Sequence, residues 1–215
     1  MDMGFLFPRV YPILDSSFIP AQGRELWLQH LGQSLTDAGV TLLEYRNKVD
    51  GDDRILSDCA ILRDAMPAGQ VRLILDDRVD LVSELGFDGV HVDAGDVSPA
   101  EARRILGPTR IVGTFGGTES LLPGILNEPA DYFAIGPVFP TTTKNTIKRP
   151  IGLDGIARLR AQAGPDPTLV AAAGITLSTA AEVIASGANS IAVAAGIFSH
   201  PDPARQFHLL TEYAG

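Results

Sequence analysis

The chain has 215 residues, 45% of them hydrophobic, which is long enough to bury a sizeable core as one large domain or two small ones. Its 17 basic against 26 acidic residues give a net charge of -9, which excludes a broad nucleic-acid or anionic-membrane surface, since both need a summed positive field. Any anionic ligand has to be met by a local cluster of cations.

The first strand is predicted at "RVYPIL", residues 9–14, followed by a helix in "RELWLQHLGQSLTDAG". "VTLLEY", residues 40–45, is the second strand and runs directly into Arg46 and Lys48. The helix "RILSDCAILRDAM" then carries the single cysteine, Cys59, which cannot form an internal disulfide and reads as a small buried hydrophobe. "VRLIL" at 71–75 ends in Asp76 and Asp77. "GVHV" at 89–92 ends in Asp93 and Asp96, and its His91 reads as a hydrogen-bonded core histidine.

The helix "SPAEARRILG" has Ser98 as its cap, Pro99 at its first position and Glu101 at its third. "RIVGT" at 110–114 and "DYFAIG" at 131–136 are the next strands, the latter leading into "GPVFPTTTKNT". "TLVAAA" at 168–173 ends in "GIT", and "LSTAAEVIASGA" is a helix with Ser178 as its expected cap and Gly187 as its stop. "SIAVA" at 190–194 is the last strand. No apolar run approaches the roughly 18 residues of a membrane-spanning helix, and the first ten residues lack a signal-peptide pattern, so a cytoplasmic protein is expected.

Eight strands alternating with helices, without a linker of domain scale, fit a (β/α)8 TIM barrel spanning residues 1–215 as a single domain. An open doubly wound sheet is the alternative, and closure is preferred because it uses all eight repeats in one core.

In such a barrel the chemistry lies on the loops after the strands. Glu44, Arg46, Lys48, Asp76, Asp77, Asp96, Thr141, Thr142, Thr143 and Lys144 therefore converge on one face. Mg2+ takes one or two carboxylates and completes its octahedron with water and phosphate oxygens, which suits Asp77 and Asp96. Arg46, Lys48 and Lys144 would neutralise phosphate charge, and the threonine hydroxyls would donate to its oxygens. Main-chain amides around Gly174, Ala194 and Ala195 offer a second phosphate site after the last two strands. Two such sites imply two phosphorylated ligands or one large one.

"LLEYRNK", "DDRVDLVSELGFDGVHV", "ADYFAIGPVFPTTTKNT" and "AAAGITLSTAAEVIASGANSIAV" resemble, in order and register, the corresponding blocks of the thiamine phosphate synthase family and its TenI-like relatives. The resemblance implies condensation of 4-amino-5-hydroxymethyl-2-methylpyrimidine diphosphate with a thiazole phosphate in a Mg2+-assisted dissociative reaction. By position, Arg46, Lys48, Thr141, Thr143 and Lys144 would hold the diphosphate and Asp77 and Asp96 the metal. The amides near Gly174, Ala194 and Ala195 would hold the thiazole phosphate, and Glu44, Asp76, Thr114 and Phe115 would meet the rest of the substrates.

The chain departs from the family pattern at several positions. The family usually has Gln where this chain has Glu44, Asn where it has Asp76, and Ser-x-His where it has Phe115, Gly116 and Gly117. Asp93 and Ala94 replace a Gly-Gln pair, and Ala195 replaces a serine. The diphosphate and metal apparatus is thus kept while the pyrimidine pocket is altered. Two alternatives remain. A TenI-like thiazole tautomerase would use a histidine where this chain has Gly117, and a binding-only paralogue would be marked by loss of Lys144 or the aspartates, which are present. Small phosphorylated molecules are the expected partners, and a homo-oligomer is left open.

Overall fold

The computed structural model describes residues 6–117, 120–141 and 149–215. Eight parallel strands close in chain order: β1 (Val10–Asp15), β2 (Leu42–Arg46), β3 (Arg72–Asp76), β4 (Gly89–Val92), β5 (Ile111–Gly117), β6 (Tyr132–Ile135), β7 (Leu169–Ala172) and β8 (Ser190–Val193). Pairing of β1 with β8 through Val10↔Ile191 and Pro12↔Val193 closes the ring and rules out the open doubly wound sheet. The expected strands are all present, β4 with the expected bounds and the others with shifted ends. The largest shift is in β5, which continues to Gly117 with an irregularity between Phe115 and Gly117.

Side chains alternate between the two faces of each strand, so the sequence sorts into two cores. Tyr11, Leu42, Ile74, Ile111, Tyr132, Val170 and Ala192 fill the lumen, while Leu14, Leu43, Leu73, Val90, Val112 and Ile191 pack outward under the helices. Leu73 is fully buried there, and burying such a side chain contributes about 1.5–3 kcal/mol. Phe7 closes the lumen from below, edge-on to Tyr11 with ring centroids 5.7 Å apart and 4.9 Å from Tyr132. Gly113 is required beside it, because a Cβ there would lie 2.0 Å from the Tyr132 ring.

The outer layer comprises α1 (Arg24–Asp37), α2 (Asp52–Ala65), α3 (Val79–Val82), α4 (Pro99–Leu106), α5 (Leu122–Ile125), α6 (Gly152–Ala163), α7 (Ala180–Ala185), α8 (Ala195–Phe198) and α9 (Pro203–Ala214). Ser98 caps α4 as expected, accepting from the Glu101 amide at 3.1 Å. The cap of α7 is Thr179 rather than Ser178: the Thr179 hydroxyl accepts from the Thr176 amide at 3.0 Å and donates back to the Thr176 carbonyl at 3.2 Å, which fixes the turn one residue later. Gly187, at φ 114°, follows that helix and stops it. Cys59 is buried in α2, and burial pushes its thiol up, which leaves it an unreactive packing group.

Candidate active site

Because the strands are parallel, their C-terminal ends share one rim, and a cavity of about 470 Å3 opens there. That volume lies in the range of small-molecule sites. Glu44, Arg46, Asp76, Phe115, Thr141, Gly174, Ala194 and Ala195 line it. So do Asp93, expected at the end of the fourth strand, and Tyr11 and His91, whose contribution was not anticipated from the sequence.

The cations of β2 are held by carboxylates of the neighbouring strands. Register sets Asp15 beside Arg46, and the two form an ion pair. Burial pushes the Asp15 carboxyl up, but its two bonds from Ser17 and the Arg46 guanidinium outweigh this and hold it below the usual carboxylate range. Arg46 Nε also lies 3.3 Å from Asp76 Oδ2, and Lys48 Nζ lies 2.9 Å from the same oxygen. Among the described residues Asp76 Oδ2 accepts no well-aligned hydrogen bond, and these two charges compensate it. Lys48 additionally pairs with Asp77 Oδ2. A compact array of two cations and three carboxylates therefore occupies the ends of β1, β2 and β3.

Asp77 stands in the left-handed region at φ 67°, uncommon for a residue with a side chain, and its amide donates to the His91 carbonyl at 2.8 Å. It does not cap α3, whose N-cap is Arg78. Its Oδ1 is buried with no hydrogen-bond partner among the described residues. That oxygen could meet a divalent cation, which takes one or two carboxylates and fills its remaining positions with other oxygens; among the described residues no group of three or more metal-ligating side chains is gathered. Asp96 is exposed and closes its own turn, with Oδ2 accepting from the Asp93 amide at 2.8 Å.

On the cavity floor Glu44 is only 3% exposed, and Tyr11 Oη donates to its Oε2 at 3.4 Å. Burial pushes its carboxyl up to about 7; His91 pulls the value down, while Asp76 and Asp93 add to the rise. Burial disfavours charge on His91, but Asp93, whose Oδ1 is 3.9 Å from Nε2, outweighs it together with Glu44 and Asp76, so the imidazole is held above its usual value. His91 Nδ1 is 3.0 Å from Tyr132 Oη, so the histidine is both a bonded core residue and part of the cavity wall. Burial keeps both tyrosine hydroxyls well above their usual value and hence protonated.

At the opposite wall Ala173 and Gly174 are consecutive left-handed residues, at φ 74° and 70°. A Cβ on Gly174 would lie 2.6 Å from the Pro140 carbonyl oxygen, so glycine lets the β7 loop lie against the segment after β6. Ala194 and Ala195 start α8, where first-turn amides lack carbonyl partners within the helix. Thr114 is placed elsewhere: it shares the outward parity of Val112, donates to the Val92 carbonyl at 3.1 Å and does not line the cavity. Thr143 and Lys144 lie outside the described residues.

Comparison with known proteins follows this geometry. A family model described as thiamine monophosphate synthase matches residues 10–197. The chain belongs to that family. It is 38% identical over 201 residues to the thiamine-phosphate synthase of Koribacter versatilis, covering 94% of each chain. It is 37% identical over 163 residues to the thiamine-phosphate synthase of Agrobacterium fabrum, covering 74% of each. Among solved structures, the thiamine phosphate pyrophosphorylase of Pyrococcus furiosus superposes with a TM-score of 0.81 at 24% identity, over 96% of this chain and 95% of that one, which shows the shared fold. Among the described residues no helix is long and apolar enough to cross a membrane.

Proposed function

We infer that this chain is a thiamine-phosphate synthase, condensing 4-amino-5-hydroxymethyl-2-methylpyrimidine diphosphate with 4-methyl-5-(2-phosphooxyethyl)thiazole to give thiamine phosphate and diphosphate. The observation that carries this reading is that Arg46, stacked on Asp15 and Asp76, faces the glycine-bearing β7 and β8 loops across one cavity, with Lys48 next to it on Asp76 just outside the lining. One end suits a leaving diphosphate and the other a retained phosphate.

Arg46 and Lys48 bind the diphosphate, joined by Lys144 and the hydroxyls of Thr141 and Thr143. Their charges are balanced by Asp15, Asp76 and Asp77 before substrate arrives, so the anion enters an already oriented set of donors. Asp77, with Asp96 on the neighbouring loop, would hold Mg2+, which would supply further neutralisation of the leaving group. The bond between the pyrimidine methylene carbon and the diphosphate oxygen breaks, and its electron pair leaves with the diphosphate. The thiazole nitrogen then gives its lone pair to the methylene carbon, forming the new C–N bond and a thiazolium ring. Amides near Gly174, Ala194 and Ala195 orient the thiazole through its phosphate. Glu44 meets the aminopyrimidine edge, and as a neutral acid it can donate as well as accept a hydrogen bond. A cytoplasmic setting suits the single unpaired Cys59.

The test is to incubate purified protein with both substrates and Mg2+, oxidise the mixture and read thiochrome fluorescence. Product that disappears with EDTA supports the synthase. Binding of either phosphate compound without product would leave a binding protein, and isomerisation of a thiazole carboxylate without condensation would leave the tautomerase reading.

A further inference from the structure

The turn that carries Lys48 is tied to a buried ion pair outside the barrel. Tyr45 lies between Glu44 and Arg46 on β2 with the opposite parity, so its fully buried ring leaves the lumen and reaches α2. Its hydroxyl donates to Asp58 Oδ2 at 2.6 Å. Asp58 is 1% exposed and is neutralised by Arg24 of α1, whose Nε lies 2.8 Å from Oδ1. Burial, then the bond to Asp58, holds the Tyr45 hydroxyl far above its usual value, so it remains a donor.

That same hydroxyl accepts a hydrogen bond from Asn47 Nδ2 at 2.9 Å. Asn47 uses every polar atom of its side chain locally: Nδ2 also donates to Asp50 Oδ2 at 3.0 Å, while Oδ1 accepts from the amides of Val49 at 3.2 Å and Asp50 at 3.0 Å. This is an Asx turn closed around Lys48, the residue between its donor and acceptor ends. The turn fixes the backbone from which the Lys48 side chain reaches Asp76 and Asp77 at the strand ends.

We propose that Asn47, anchored through Tyr45 to the Asp58–Arg24 pair, is a positioning residue that holds Lys48 over the anion end of the cavity. This rests on the reading that Lys48 meets a phosphate group. The same strand end then sets both cations, Arg46 against Asp15 and Asp76, and Lys48 against Asp76 and Asp77 with its backbone held by the Asn47 turn.

Equilibrium binding of inorganic diphosphate with Mg2+, followed by calorimetry, tests this without turnover. Lys48→Ala is the reference and should weaken binding about tenfold or more, the loss of a charge-assisted contact. Asn47→Ala and Tyr45→Phe should each weaken it about fivefold, the effect of one hydrogen bond, with a cooperative fold retained by circular dichroism because the ring and the Asp58–Arg24 pair remain. Adding Asn47→Ala to Lys48→Ala should cost nothing more, since the asparagine acts only through the lysine. Asn47→Asp keeps an oxygen that accepts from the Val49 and Asp50 amides and should recover part of the affinity. If Lys48→Ala weakens binding while Asn47→Ala leaves it unchanged, or weakens it equally in the Lys48→Ala background, the positioning role is wrong and the phosphate role of Lys48 stands. If Lys48→Ala binds diphosphate like the parent protein, both readings fall.

Discussion

Replacement of Glu44 by glutamine should make the protein more stable, and increasingly so as pH rises. In the fold, burial, then Asp76 and Asp93, moves this carboxyl from 4.5 to about 7 despite the opposing pull of His91. Below about pH 4.5 the carboxyl is protonated in both folded and unfolded chains, and burying it neutral carries no charge penalty. Between there and about pH 7 the unfolded chain loses its proton while the folded one retains it. Above that range the folded chain must bury an anion. The difference corresponds to about 3 kcal/mol of stability present in acid and lost by pH 8. His91 is also held above its usual value, partly by Glu44, so its contribution is lost in the same direction. A glutamine keeps the shape and the acceptor for Tyr11 without the charge. Urea unfolding at pH 5, 6, 7 and 8 should show the two proteins converging toward pH 5 and separating by about 3 kcal/mol at pH 8, equivalent to about 6–12 °C in Tm. A difference that is constant over this range, or that grows toward acid, would refute the placement of Glu44 as a buried carboxyl among other acids.

Three further outcomes are expected. Asp77→Asn preserves a side chain tolerant of the left-handed conformation but removes the charge, so the Mg2+ concentration for half-maximal turnover should rise about tenfold or more; an unchanged Mg2+ titration would remove Asp77 from the metal site. Gly174→Ala places a Cβ 2.6 Å from the Pro140 carbonyl oxygen at φ 70° and should cost about 1–3 kcal/mol in thermal unfolding, with an unaltered Tm contradicting the close approach. Lys144→Ala should lower kcat by about 100-fold while leaving Tm unchanged, and full turnover in that variant would sink the role assigned to the threonine–lysine loop.

The barrel was legible because its signals are local. Apolar β-branched runs recur between helical segments, and Ser98 and Gly187 mark helix ends through bonds or backbone angles that lie within a few residues. The charged strand ends were legible too, since parallel closure leaves them only one rim to share. What escaped required knowing neighbours across strands. Asp15 closes an apolar stretch and acquires its meaning from register with Arg46. His91 looked like a core residue and is one, yet its paired positions Asp76 and Gly113 on the flanking strands set it in the cavity wall. Thr114 was assigned to the substrate together with Phe115, whereas strand parity turns it outward to the Val92 carbonyl. Asp58 lies in a segment that reads as an amphipathic helix, and only the meeting of α1, α2 and Tyr45 explains a buried carboxylate there.

The most direct measurement is a crystal structure of the protein with thiamine phosphate, diphosphate and Mg2+. Diphosphate located against Arg46 and Lys48, with the metal on Asp77 and the ester phosphate on the amides near Gly174 and Ala195, is the expected result. Products bound with the two phosphate groups exchanged, or lodged away from the β2 and β3 ends, would contradict the assignment of this cavity as the site of condensation.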